Sequence, residues 1–302
     1  NKVLIFGHKK PDTDSVVAAI SLSYLKNKLG MSCEPRVLGE INSETKFILD
    51  YFNIKHPKYL NDVKLEVKDV NYLKNNFVSE YESVYKCFNY MTDKKISTLP
   101  IIDNNGKYCG AVSMKDIAKD SVNGDWEILN TSYKNIIDTL NGKEIAKYDE
   151  EITGNILIAS YRSTTFIENV DLTPDTILIV GDRHSIIEYA IEKNVKMIIL
   201  TGGSQIKEEH LKIAKEKHIN IISTNYNTFN VARKIGLCNY ITKIEIDKNV
   251  TYVNETTDLN DFIDLANRTK YSNFPVINKD GKCLGIIRSE ERRVGKECRS
   301  RW

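Results

Sequence analysis

The chain has 302 residues, 41% apolar and 28% charged, which is enough apolar material to bury two or three cores and rules out a largely disordered polymer. Its 43 basic and 41 acidic residues balance at 38 of each once residues 289–302 are set aside, so no excess of positive charge argues for a nucleic-acid or anionic-membrane partner. The longest apolar runs, 177–180 and 197–200, fall far below the ~20 residues of a membrane helix. Six scattered cysteines without a C-x-x-C pair fit free thiols better than a zinc knuckle or a disulfide framework. With no secretory leader ahead of the first strand, a reducing, cytoplasmic setting is expected.

Residues 2–6 read as a strand, 7–12 as a loop, 13–29 as a helix and 33–38 as a second strand, a βαβ start with Gly30 as the helix stop. The helix has apolar positions at Val16, Val17, Ala19, Ile20, Leu22, Tyr24 and Leu25. The loop runs Gly7-His8-Lys9-Lys10-Pro11-Asp12-Thr13-Asp14-Ser15. An imidazole at a strand end, followed by carboxylates four and six residues later, puts His8, Asp12 and Asp14 around one turn at the positive end of a helix dipole. That donor set suits a divalent metal together with a phosphate. The competing reading makes Asp12 or Thr13 an ordinary N-cap, Asp14 a first-turn acid and His8 a turn residue.

Residues 78–113 align without a gap on 253–288 at an offset of 175, with nine identities in 36 positions. Each copy reads as a helix, an apolar run with proline (Leu99-Pro100-Ile101-Ile102 and Phe274-Pro275-Val276-Ile277), a turn, and a second strand starting at Gly110 or Gly285. The turns contain Asn105-Gly106 and Asp280-Gly281, pairs that supply positive φ in hairpins. One such unit buries too little surface alone, so the copies are expected to pack together and the residues between them to form an insertion. Within that insertion, 176–180, 195–200 and 219–222 read as strands alternating with helices from His184, from Ile206 and through Phe229, the pattern of a parallel sheet with helices on its faces. Gly181-Asp182-Arg183 and Thr201-Gly202-Gly203 each follow a strand and precede a helix; such glycines either cradle a phosphate or simply make the turn.

These motifs carry resemblances. The repeat, apolar-Pro-apolar-apolar followed by two spaced glycines and closed in the first copy by Ser113-x-x-Asp116, resembles a CBS domain, two of which pair to bind adenine nucleotides. The insertion resembles a DRTGG domain. The string G-H-x-x-P-D-T-D-S, with Gly39-Glu40-Ile41-Asn42-Ser43-Glu44-Thr45 downstream, resembles the opening of family II inorganic pyrophosphatases of the DHH phosphoesterase superfamily. Lys10 departs from that family's usual Asn. A regulated subfamily carries a CBS, DRTGG, CBS insertion in this order, and the resemblance covers residues 1 to about 288.

The resemblance implies an α/β chain: 1–66 as the N-terminal βαβ part of a DHH catalytic domain, 67–120 as the first CBS module (α+β), 121–245 as an α/β DRTGG domain, 246–288 as an incomplete second CBS module. It implies a cytoplasmic homodimeric enzyme hydrolysing pyrophosphate, with Mn²⁺ or Co²⁺ at the tight sites and Mg²⁺ accompanying substrate. His8 and Asp12 would bind one metal and Asp14 the second. AMP and ADP would inhibit, and ATP and diadenosine polyphosphates activate, through Lys95, Ile96, Ser97, Thr98, Pro100, Ser113 and Asp116 in the first copy and Tyr271, Ser272, Asn273, Pro275 and Arg288 in the second. Tyr271 either stacks on adenine or is a half-buried core aromatic. Asp116 lacks a counterpart, because position 291 is Glu291, so unequal half-sites are expected.

The family also draws metal ligands from an Asp-His-Asn-type and an Asp-His-His motif beyond the insertion, and from a second domain that clamps substrate. No Asp-His dipeptide occurs here, and His56, His210 and His218, in Lys/Glu-rich surroundings, read as surface groups. Residues 289–302 read as a non-native tail, which would make the chain a fragment inactive alone. Two rivals stand: an adenine-nucleotide sensor without catalysis, and another DHH-type phosphoesterase.

Overall fold

The computed structural model describes residues 2–60, 65–247, 250–269 and 271–289. The chain forms two compact units, one ending at Leu65 and the other beginning at Glu66. The expected foreign tail lies, from residue 290 onward, outside the described residues.

The first unit is a parallel sheet of three strands, β1 (Val3–Ile5), β2 (Cys33–Val37) and β3 (Lys58–Tyr59), with helices α1 (Thr13–Lys28) and α2 (Ser43–Tyr51). Both helices start on side-chain caps: Asp12 Oδ1 accepts from the Ser15 amide at 2.9 Å and Asn42 Oδ1 from the Thr45 amide at 2.7 Å. The core is small, formed by Val16, Val37, Ile41 and Leu49 with Ile20 against them. Of the apolar α1 positions only Val16 and Ala19 are buried; Val17, Leu22, Tyr24 and Leu25 are exposed.

The second unit opens with β4 (Leu73–Lys74), β5 (Val78–Ser79), α3 (Val84–Lys94), β6 (Thr98–Ile102), β7 (Tyr108–Ser113) and α4 (Met114–Asn123). An inserted domain follows: β8 (Ile128–Ser132), α5 (Tyr133–Leu140), β9 (Gly142–Ala146), β10 (Glu151–Ile158), α6 (Ser163–Asn169), β11 (Thr176–Val180), α7 (His184–Glu192), β12 (Met197–Leu200), α8 (Glu208–Glu216), β13 (Asn220–Thr224) and α9 (Thr228–Lys234). The chain then returns through β14 (Val253–Asn254), α10 (Leu259–Arg268), β15 (Asn273–Ile277) and β16 (Cys283–Arg288).

The internal repeat is visible residue by residue. Helix α3 buries Val84, Cys87 and Met91, and α10 buries Leu259, Phe262 and Ala266, the same positions in the two copies. In the hairpins, Asp103 Oδ1 accepts from the Asn105 and Lys107 amides and its equivalent Asn278 accepts from the Asp280 and Lys282 amides. The backbone hydrogen bonds from Lys107 and Asn105 hold the Asp103 carboxyl below its usual range. The second strands begin at Tyr108 and Cys283, two residues before the glycines expected to start them, because pairing continues across a bulge in both hairpins.

The copies meet about a local twofold axis. Ser97 Oγ lies 3.1 Å from Ser272 Oγ, and Lys107 bridges Lys282; each pair joins equivalent positions of the repeat. The copies also exchange segments. Strand β4 pairs with β16, and Val67 and Tyr72 are buried in the second copy's core with Phe262, Phe274 and Ile287. Reciprocally, Ile241 and Ile244 are buried in the first copy's core with Val84, Met91 and Leu99, and Asp247 bridges Ala111. Residues 67–74, read from the sequence as part of the first module, therefore complete the second.

The inserted domain is a six-stranded sheet in the order β8-β10-β11-β12-β13-β9, parallel from β10 to β13. Its edges, β8 and β9, run antiparallel, so the sheet is mixed rather than wholly parallel. Alternate residues enter two cores: Leu178, Val180, Ile198 and Leu200 face α7 and α8, while Ile177, Ile179, Met197 and Ile199 face α5 and α9. Burial on both faces explains why these strands read as continuous apolar runs.

Gly285 permits the segment exchange: a Cβ there would stand 2.1 Å from the Leu73 carbonyl oxygen, and its φ of +150° disfavours any side chain. Gly285→Ala is expected to destabilise the second unit by about 3 kcal/mol. Urea unfolding of the purified chain checks this, and an unmoved midpoint would contradict the exchange.

Candidate functional sites

In the first unit, Gly7 to Asp12 leave the C-terminal end of β1 and enter α1. His8, Asp12 and Asp14 line one open concavity with Phe6, Gly7, Ser15 and Ala18. His8 Nε2 lies 3.4 Å from Asp12 Oδ1, with both side chains well exposed. The N-cap reading of Asp12 is realised, and the oxygen that caps α1 also faces the imidazole. Two of the three donors converge and the third opens on the same concavity, but among the described residues no group of three His, Cys, Asp or Glu side chains is drawn together tightly enough to hold a metal ion. The donor types, one imidazole and two carboxylates, suit Mn²⁺ or Co²⁺.

Two contacts that the sequence reading did not single out fix this loop. Thr13 Oγ1 lies 2.9 Å from Thr45 Oγ1, joining the first turns of α1 and α2. Gly39, just after β2, packs so tightly that a Cβ would lie 2.5 Å from the Lys9 carbonyl oxygen and 3.0 Å from Pro11 Cδ. A glycine directly behind a strand was the available signal.

In the second unit, the twelve nucleotide candidates gather around the two hairpins at the twofold. Thr98 pairs with Ser113 and the equivalent Asn273 with Arg288. Ser97, Ser272 and Asn273 touch: Asn273 Nδ2 donates to Ser97 Oγ at 2.7 Å and to Ser272 Oγ at 3.2 Å. Arg288 Nη2 donates to the Lys94 carbonyl at 3.0 Å, beside Lys95, which ends α3 in the left-handed conformation. Ser113 and Asp116 form a capping box at α4, Asp116 accepting from the Ser113 amide and hydroxyl. Tyr271 and Ser272 are exposed; Ile96, Thr98, Pro100 and Pro275 are buried and shape the site from below. The two halves differ chemically, since Asn273 crosses to the first copy and its equivalent is Thr98.

The Thr201-Gly202-Gly203 turn of the inserted domain is internally satisfied. The amides of Thr201, Gly202, Gly203 and Ser204 donate to Val180, Tyr226, Thr224 and Thr201, so this turn has no amide left for a phosphate. One surface assignment is corrected: His210 is buried, on the inner side of a helix whose Lys and Glu residues face outward. Cys33, Cys87, Cys238 and Cys283 are buried free thiols, and burial pushes those of Cys87 and Cys238 up to about 12.

The CBS domain family matches residues 67–123 and 241–291, and the DRTGG domain family residues 135–238. The chain therefore carries a CBS pair interrupted by a DRTGG domain. It is 32% identical to the cobalt-dependent inorganic pyrophosphatase of Clostridium perfringens over 94% of this chain and 53% of that protein. It is 25% identical to a probable manganese-dependent inorganic pyrophosphatase of Thermotoga maritima over 95% of this chain and 53% of that protein. The chain thus spans about half the length of these curated relatives. The CBS and DRTGG domains of the regulatory region of C. perfringens pyrophosphatase, in a crystal structure complexed with the activator diadenosine tetraphosphate, superpose with a TM-score of 0.66 at 27% identity, covering 74% of this chain and all of that one.

Because the atoms meeting Gly39 are backbone and a ring, neither can swing aside. Gly39→Ala is expected to destabilise the first unit by about 1–3 kcal/mol, read as earlier loss of its signal in denaturant. An unchanged first unit would contradict the tight packing of the two loops.

Proposed function

We propose that this chain is the N-terminal and regulatory portion of a manganese- or cobalt-dependent inorganic pyrophosphatase controlled by adenine nucleotides at its CBS pair. The observation that carries this reading is the 32% identity over 94% of the chain, which takes in the metal loop as well as the regulatory domains. His8 and Asp12 hold one cation and Asp14 a second. When bound, such cations supply Lewis acidity and charge neutralisation to the phosphoanhydride. The chain's own residues position them: β1 delivers His8, the Asp12 cap sets the first turn of α1, and Gly39 braces the loop from behind.

The regulatory half takes an adenine nucleotide at each half-site, with Ser97, Thr98 and Ser113 on one side and Tyr271, Ser272, Asn273 and Arg288 on the other. Inhibition by AMP and ADP and activation by ATP or diadenosine polyphosphates require that these ligands bind two arrangements of the pair unequally. A coupling of about 1–3 kcal/mol changes activity roughly 5- to 150-fold. The working enzyme is a cytoplasmic homodimer with Mg²⁺ accompanying pyrophosphate.

A second reading, a nucleotide sensor without catalysis, is favoured by one observation: no three-ligand metal cluster is present among the described residues. Calorimetry and phosphate release separate the two. The chain is expected to bind AMP, with Arg288→Ala weakening it about tenfold through loss of a charge-assisted contact. It is also expected to bind Mn²⁺ in a manner abolished by Asp12→Ala with Asp14→Ala, while releasing phosphate from pyrophosphate at a negligible rate. Nucleotide binding with no Mn²⁺ site at Asp12 and Asp14 would leave the sensor reading standing; brisk hydrolysis would overturn the assignment of this chain as a catalytically incomplete portion.

A further inference from the structure

The first unit leaves apolar surface bare along one side. Strand β1 lies at the edge of its sheet, and among the described residues it pairs only with β2. The Val3 amide donates to the Ser32 carbonyl at 2.8 Å, so by alternation the Leu4 amide and carbonyl point the other way, out of the open edge. Both faces of the strand are uncovered: Val3 is 45% exposed and Leu4 36%, and Phe6 follows them into solvent. The opposite edge is guarded in the usual manner, by Pro57 and Lys58 at β3. Lys2, at the start of β1, does not guard its edge but reaches back to Glu34 of β2, with Nζ 2.8 Å from the carboxylate.

Helix α1 carries two apolar stripes. Val16 and Ala19 enter the core. Ala18, Leu22, Leu25 and Leu29, spaced four, three and four apart, lie on a different face and are exposed, Leu25 by 54% and Leu29 by 69%. A helix that is apolar on more than one side belongs inside a larger body. This second stripe and β1 meet at the concavity of the loop after β1, which Phe6, Ala18 and Leu22 line together with His8, Asp12 and Asp14.

We propose that the edge of β1 and the Ala18-Leu22-Leu25-Leu29 stripe form the docking surface for the half of the pyrophosphatase that this chain does not span, which sets a strand beside β1 and walls the concavity at His8, Asp12 and Asp14; the identity of this occupant rests on the pyrophosphatase reading. Length favours it, because the chain covers 53% of each of two curated relatives and a comparable amount of polypeptide remains to be placed. Position favours it over a second copy. A copy related by a twofold across β1 runs its strand antiparallel, which carries its own His8 to the far end of the pair and leaves this concavity open. A single body that covers both Phe6 and Leu22 closes it, since both line it. Bare apolar surface continuous with an open strand edge is the form such docking takes.

The test co-produces the full chain with the part of the Clostridium perfringens enzyme that lies beyond the match, one of the two tagged. One-to-one co-elution is expected. In the complex the Leu4 amide is expected to exchange about tenfold more slowly, read by NMR. Leu25→Glu, at an exposed position, is expected to abolish co-elution while the thermal melting of the chain alone stays unmoved. A complex with these properties that releases no phosphate from pyrophosphate would uphold the docking surface and count against the enzymatic reading. No complex, a complex indifferent to Leu25→Glu, or Leu4 already protected in a dimer of the chain alone would overturn the proposal.

Discussion

The CBS pair of this chain depends on an exchange. Neither CBS copy closes its own core: Val67 and Tyr72, which precede the first copy, are buried in the second, and Ile241 and Ile244, which precede the second, are buried in the first. Burying a side chain of this size is worth about 1.5–3 kcal/mol, so the exchange contributes several such increments and makes the copies folding partners rather than neighbours. The same arrangement sets the twofold that brings Ser97 to Ser272 and Lys107 to Lys282. Any ligand that prefers one spacing of the hairpins acts on both copies through that shared seam.

The exchange also explains how more than a hundred residues can stand between two halves of one structure. The DRTGG domain closes on itself where the chain enters and leaves it. Asn239, fully buried at the exit, accepts from the Asn130 amide at 2.7 Å and donates to the carbonyls of Ile128 and Gly236. Thr131 Oγ1 on the entry strand donates to the Cys238 carbonyl. Entry and exit are thereby clasped side by side, the condition under which an inserted domain leaves its host undisturbed. The clasp also touches the first copy, where Asn135 Nδ2 donates to the Tyr81 carbonyl and the Tyr81 and Tyr240 rings meet edge to face.

Much of this was legible because the repeat preserves chemistry position by position. The buried triplets of α3 and α10, the Asx turns at Asp103 and Asn278 and the paired glycines all follow one offset. The exchanged segments were not legible, since β4 is two residues long and Asp247 joins the first copy by an isolated bridge, and no periodicity shows in so short a run. The edge strand β8 was missed because its outward face carries Asn130 and its inward face Thr131, whose burial is hidden by a polar side chain. His210 was misplaced for the complementary reason: the Lys and Glu residues that dominate α8 cover its outer face and say nothing of the one turned inward. In the loop after β1 the sequence named His8, Asp12 and Asp14, which line one concavity. It did not reveal the close packing of Gly39 on Lys9 and Pro11 or the Thr13–Thr45 contact, which arise from chain segments meeting in space.

The central claim is that the two CBS copies share one seam within a single chain. Replacing Ser97 and Ser272 by cysteine and oxidising mildly tests it directly, with peptide mapping by mass spectrometry to locate the bond. The account predicts an intramolecular disulfide joining positions 97 and 272, formed in dilute protein without change in the elution volume of the chain. Failure to form that bond, or its formation only between separate chains, would contradict the shared seam.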